Sequence, residues 1–124
     1  YKRQDYMVGS DSIPLGKYPH PRAYGTFPRI IGRFQRKYQT MPLEQTIQRI
    51  TENPAKRFKL KERGLIKEGY FADLVLFDHL TVTDNATYDD PRQLPTGIEY
   101  VLVNGTVAIK NGVYQNSTTG RTIP

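Results

Sequence analysis

Cysteine is absent from this 124-residue chain, histidine occurs twice, and Asp and Glu together number 12 against 18 Lys and Arg. Without cysteine there is neither a disulfide framework nor a thiolate zinc site, which sets the expectation of a cytoplasmic protein. Long apolar runs are missing too. None approaches the ~18 residues needed to cross a bilayer, and no charged-then-apolar leader opens the chain, so no membrane partner is expected. The two histidines, His20 and His79, stand apart, with no His-x-His or His-Glu-x-x-His around them. A catalytic zinc takes about three protein ligands, so this polypeptide cannot hold that metal unaided. Ser10 and Ser12 lack the Gly-x-Ser-x-Gly elbow of a serine hydrolase. A Gly-rich phosphate loop and an aromatic ribonucleoprotein motif are also missing.

What is present is polar and basic. The net charge is +6, hydrophobic residues make up 37%, and mean hydropathy is −0.62. The basic residues are spread along the chain, and the densest stretch, KRFKLKERG at 56–64, reads as the solvated side of a helix end. Such a surface attracts carboxylates in general, and no nucleic-acid partner is required. The length suits one modest domain, which would bury roughly two-thirds of its unfolded surface. The polar balance points to a missing apolar partner surface.

Along the chain, strand propensity at Tyr6–Val8 gives way to GSDSIPLGKYPHPRAYGTFP (9–28), whose prolines and glycines predict a long ordered loop. RIIGRFQRKY (29–38) spaces Ile30, Ile31 and Phe34 for a short helix. Thr40 offers an N-cap to a helix whose Leu43, Ile47 and Ile50 share one face. Asn53-Pro54 then breaks that helix and starts another, which carries Phe58 inward. Beyond Gly64 the period changes. ADLVLFD (72–78) reads as a strand covered on both faces. IEYVLVNGTVAIKNGVY (98–114) carries two β-rich runs around Asn104-Gly105, a hairpin signal, and a second Asn-Gly follows at 111–112. The acidic stretch 79–97 reads as a surface connection. An opening strand with no neighbour nearby leaves its backbone groups unpaired, so the chain reads as part of something larger.

On residue type alone, Asp11 fits an Asx turn or loop cap as well as an active site, Arg22 fits a surface arginine, and His20 a packed loop histidine. A resemblance adds weight to Asp11 and Arg22. GSDS, followed eleven residues after its Asp by the Arg of PHPRAYGTFPRIIGRF, resembles the segment after the last barrel strand of the D-aminoacylases, or N-acyl-D-amino-acid deacylases, of the amidohydrolase superfamily. LEQTIQRITENPAKRFKLKERGLIKEGYFADLVLFD resembles the closing helices and return strand of amidohydrolases generally. DDPRQLPTGIEYVLVNGTVAIKNGVY resembles the D-aminoacylase C-terminus.

The resemblance implies an α/β fragment: the last βα unit of a TIM-type (β/α)₈ metal-dependent hydrolase barrel (residues 1–63), then the C-terminal strands of a small composite β-sandwich (64–124). Tyr6–Ser10 would be the eighth strand, with Asp11 at its catalytic end. The family's Asp is a general base that takes a proton from zinc-bound water and passes it to the departing amine, so Asp11 is the expected catalytic residue. Asp11 would also stand beside the zinc as a marginal ligand. Arg22 matches the arginine that pairs with the substrate's α-carboxylate, a role suited to its planar fork.

Ser12 stands where the family commonly has Gly. The family's remaining metal ligands have no counterpart in this sequence. Zinc is therefore expected only in the full-length parent, the partner is the N-terminal remainder of the same enzyme, and the 124-residue polypeptide is expected to be inactive alone. The resemblance implies removal of the acyl group from N-acyl-D-amino acids. The alternatives are part of a hydantoinase or dihydropyrimidinase acting on cyclic amides, or a non-catalytic β-rich interaction module.

Overall fold

The computed structural model describes residue 3 and residues 5–123. The chain is α/β: a helical first half leads to a four-stranded antiparallel sheet in the order β1-β2-β3-β4. The strands are β1 (Leu74–Phe77), β2 (Ile98–Val103), β3 (Thr106–Lys110) and β4 (Val113–Tyr114). The hairpin expected at Asn104-Gly105 forms, and a second forms at Asn111-Gly112. Asn104 and Gly105 have φ of 50° and 81°, and Asn111 and Gly112 have 49° and 78°. Those left-handed pairs match the twist of the flanking strands, and Asn-Gly adopts them at little cost.

The helical half departs from the sequence expectation in several places. Helix α1 (Arg22–Arg29) begins inside the stretch expected to be a loop and contains Pro28. Pro21 explains the start. Its φ of −52° already suits a helix, and its carbonyl accepts the N–H groups of Tyr24 and Gly25 at 3.1 and 3.0 Å. Two residues after Pro28 the chain continues as a π-helical segment, Ile30–Lys37. Thr40 does not cap α2 (Leu43–Ile50). Its hydroxyl donates instead to the Phe34 carbonyl at 2.9 Å, which closes the preceding π turn.

The break expected at Asn53-Pro54 falls earlier, at Thr51, and α3 spans Glu52–Arg57. Pro54 lies in the first turn of α3, where an N–H has no intrahelical partner to lose. Phe58, expected inside, is 67% exposed, because α3 turns its Ala55 inward instead. Tyr6–Ser10 forms no strand. All four strands come from residues after 73, so this segment has no ladder to join. It is held by side chains: the buried Arg49 of α2 lies 4.3 Å from the Tyr6 ring centroid.

The stretch 79–97, expected as a surface connection, contains the most buried hydrophobic residues among those described, Val82 at 1% and Ala86 at 2% exposure. The helices dock against it. A Cβ on Gly32 would lie 2.4 Å from the Val82 carbonyl oxygen, so only glycine permits this approach. Arg36 Nη1 donates to the carbonyls of His79 and Val82 at 2.8 and 2.7 Å. Arg29 Nε donates to Asp84 at 2.7 Å.

The opposite side of the helices is open. Between them and the sheet runs an apolar groove of about 1220 Å³, lined by Ile31, Leu43, Ile47 and Ile50 on one wall and by Leu74 and Leu76 on the other. Strand β1 is therefore not covered on both faces. Val75 and Leu76 are 55% and 53% exposed. No helix among the described residues is long and apolar enough to cross a membrane.

Candidate functional site

Asp11 and Arg22 meet at the start of α1. Arg22 Nη2 lies 3.0 Å from Asp11 Oδ2, with the arginine side chain 42% exposed and the carboxylate 85% exposed. A pair this wet contributes little to stability. Asp11 also has φ of 46°. The left-handed region costs a non-glycine residue about 1 kcal/mol or more, and Asp is among the few that tolerate it. The left-handed backbone presents the Asp11 carboxylate at the surface beside Arg22.

The loop between them is ordered by contacts from far along the chain. Arg22 opens α1, and its backbone N–H donates to His20 Nδ1 at 3.0 Å, which supplies the cap that Pro21 lacks. His20 Nε2 lies 3.0 Å from the hydroxyl of Tyr88. Arg92 Nη1 donates to the Tyr24 hydroxyl at 2.9 Å and its Nη2 to the Gly16 carbonyl at 2.7 Å. Tyr88 and Arg92 are 68 to 76 residues from their partners, so no local pattern could have marked them.

Chemically, the arrangement supplies one ionisable acid and one guanidinium side by side. Among the described residues no group of three or more His, Asp or Glu could hold a metal ion. The donors present do not make a metal site, and Asp11 could join one only with ligands from elsewhere.

The family model described as the amidohydrolase family matches residues 2–109. The chain belongs to the amidohydrolase family. Among curated proteins it is similar to a D-aminoacylase of Alcaligenes xylosoxydans xylosoxydans, with 42% identity over 117 residues, 94% of this chain and 24% of that one. Among solved structures it matches a D-aminoacylase crystal structure with a TM-score of 0.92 at 41% identity, over 94% of this chain and 25% of the other. It also matches an N-acyl-D-glutamate deacylase of Bordetella bronchiseptica, complexed with zinc and a phosphonate mimic of the tetrahedral intermediate. There the TM-score is 0.81 at 47% identity, over 82% and 22% of the two chains. This amidohydrolase chain thus spans about a quarter of the length of the relatives it matches.

Proposed function

We propose that this chain forms the C-terminal part of a zinc-dependent hydrolase that removes the acyl group from N-acyl-D-amino acids, and that it supplies that enzyme's acid–base residue, Asp11, and its carboxylate clamp, Arg22. The observation that carries the reading is the 3.0 Å approach of two exposed, oppositely charged side chains that stability does not require. The relatives matched over most of the chain are D-aminoacylases and deacylases of N-acyl-D-amino acids, which favours this substrate class over cyclic amides.

On this reading residues 1–63 belong to the end of the barrel, with Asp11 at the rim, and residues 64–124 to the composite sandwich. The rest of the same enzyme covers the apolar groove. Zinc belongs to the whole enzyme, held by ligands beyond these residues, and a related deacylase is a complex with zinc.

The chemistry assigned to this chain is a proton relay. Water attacks the amide carbon and gives its proton to the Asp11 carboxylate. The C–N bond breaks, and that proton passes to the departing amine, which leaves a carboxylic acid and the D-amino acid. A relay of this kind is worth roughly 10²–10⁴ in rate. Arg22 contacts Asp11 through one nitrogen of a fork that carries five N–H donors, which leaves others for a second carboxylate.

Arg22→Lys in the full-length enzyme tests the assignment. The point charge remains but the fork is lost, so kcat/KM for an N-acyl-D-amino acid should fall about 100-fold while turnover of an uncharged cyclic amide barely changes. Equal losses on both substrates, or none on either, would overturn the reading.

A further inference from the structure

His20 bonds through both ring nitrogens. Nδ1 accepts the Arg22 backbone N–H, so in the neutral ring the proton sits on Nε2, where the Tyr88 hydroxyl lies 3.0 Å away. The two rings meet edge to face, with centroids 5.2 Å apart and planes at 80°. Tyr88 in turn belongs to a segment anchored to the helices. Asp84 of that segment pairs with Arg29, and Thr83 bridges Thr96. The backbone that carries the buried joint at 82–86 thus leads two residues on to Tyr88, whose hydroxyl meets His20, which in turn bonds the backbone of Arg22.

We propose that His20, held by Tyr88, is a positioning residue for Arg22: it fixes the first turn of α1 so that the guanidinium meets the α-carboxylate of an N-acyl-D-amino acid from one direction. The inference rests on the deacylase reading above. Pro21 provides no side-chain cap, so nothing else on the helix end does this work for the Arg22 N–H. The effect is confined to substrate capture. His20 reaches Arg22 through the backbone and has no part in the proton relay.

The test uses the full-length enzyme with two substrates, an N-acetyl-D-amino acid and its neutral α-carboxamide. Losing a cap is worth a few-fold to tenfold, so His20→Ala should raise KM for the charged substrate about tenfold, with kcat within about twofold and the carboxamide unaffected. His20→Asn keeps an oxygen where Nδ1 lay and should bring KM back to within about threefold of wild type. Tyr88→Phe should raise KM about threefold, and should add nothing to His20→Ala because it acts through that ring.

Equal KM for the Ala and Asn variants, an equal loss on both substrates, or a fall in kcat at unchanged KM overturns the inference. If Arg22→Lys remains selective while His20→Ala is silent, only this inference falls. If the wild-type enzyme turns over no N-acyl-D-amino acid, the functional reading falls and takes the inference with it.

Discussion

The two sides of the helical layer differ in what they complete. One side meets residues 79–86 through glycine, with arginine bonds to backbone carbonyls and a carboxylate that is 8% exposed. The other side presents Leu43, Ile47 and Ile50 across an open groove to a sheet whose own apolar residues are half bare. The first joint is finished within this chain. The second is open among the described residues. The Asp11–Arg22 pair is tied to the finished side through His20, Tyr88 and Arg92, so contacts within this chain hold its geometry.

The largest effect should come from the closed side. Alanine normally stabilises a helix relative to glycine by up to about 1 kcal/mol. At Gly32, however, the new methyl meets a backbone oxygen that cannot move aside, so Gly32→Ala should destabilise by about 3 kcal/mol in urea unfolding. A neutral or stabilising result would mean that the helices do not dock on Val82 this closely.

Ile47→Asp probes the open side. It should cost less than about 1 kcal/mol in the 124-residue chain, where Ile47 is only half-buried, and about 3 kcal/mol or more in the full-length enzyme, which we propose covers the groove. Equal costs in the two settings would erase the contrast between the sides.

The smallest effect concerns Asp78, which opens the closed segment. The N–H of Leu80, and then the hydroxyl of Thr81, hold its carboxyl below the usual aspartate range. The stability it contributes is present above the unfolded-state value and is lost as pH falls through the depressed one. Wild type and Asp78→Asn should therefore differ modestly near neutrality and converge in acid. A difference that widens in acid would contradict the assigned hydrogen bonds.

How much of this was legible in the sequence follows from the range of the interactions. The hairpins were readable because Asn104-Gly105 and Asn111-Gly112 carry their left-handed backbone in the residues themselves. Helix α1 was hidden because Pro21 and Pro28 count as breakers by composition, whereas one sits at a helix start and the other precedes a widened π turn. The stretch 79–97 looked like surface because its charges dominate. Gly25 and Gly32 let α1 and the π-helical segment close on Asp84 and Val82, and Gly97 packs on Val82 as well, burial that no local pattern in 79–97 marks. Asp11 and Arg22 were singled out by the family resemblance of GSDS and the Arg eleven residues after its Asp, whereas residue type alone left them a turn acid and a surface arginine. The residues that hold their loop, Tyr88 and Arg92, lie a sheet connection away and have no local mark.

The most direct measurement is the turnover of an N-acyl-D-amino acid by the zinc-supplemented full-length enzyme carrying Asp11→Asn. A carboxamide of the same shape can neither take nor return a proton, so kcat should fall by roughly 10²–10⁴ while substrate affinity, read from equilibrium binding, stays within a few-fold. A kcat within a few-fold of wild type would show that Asp11 is only a turn residue paired with a surface arginine.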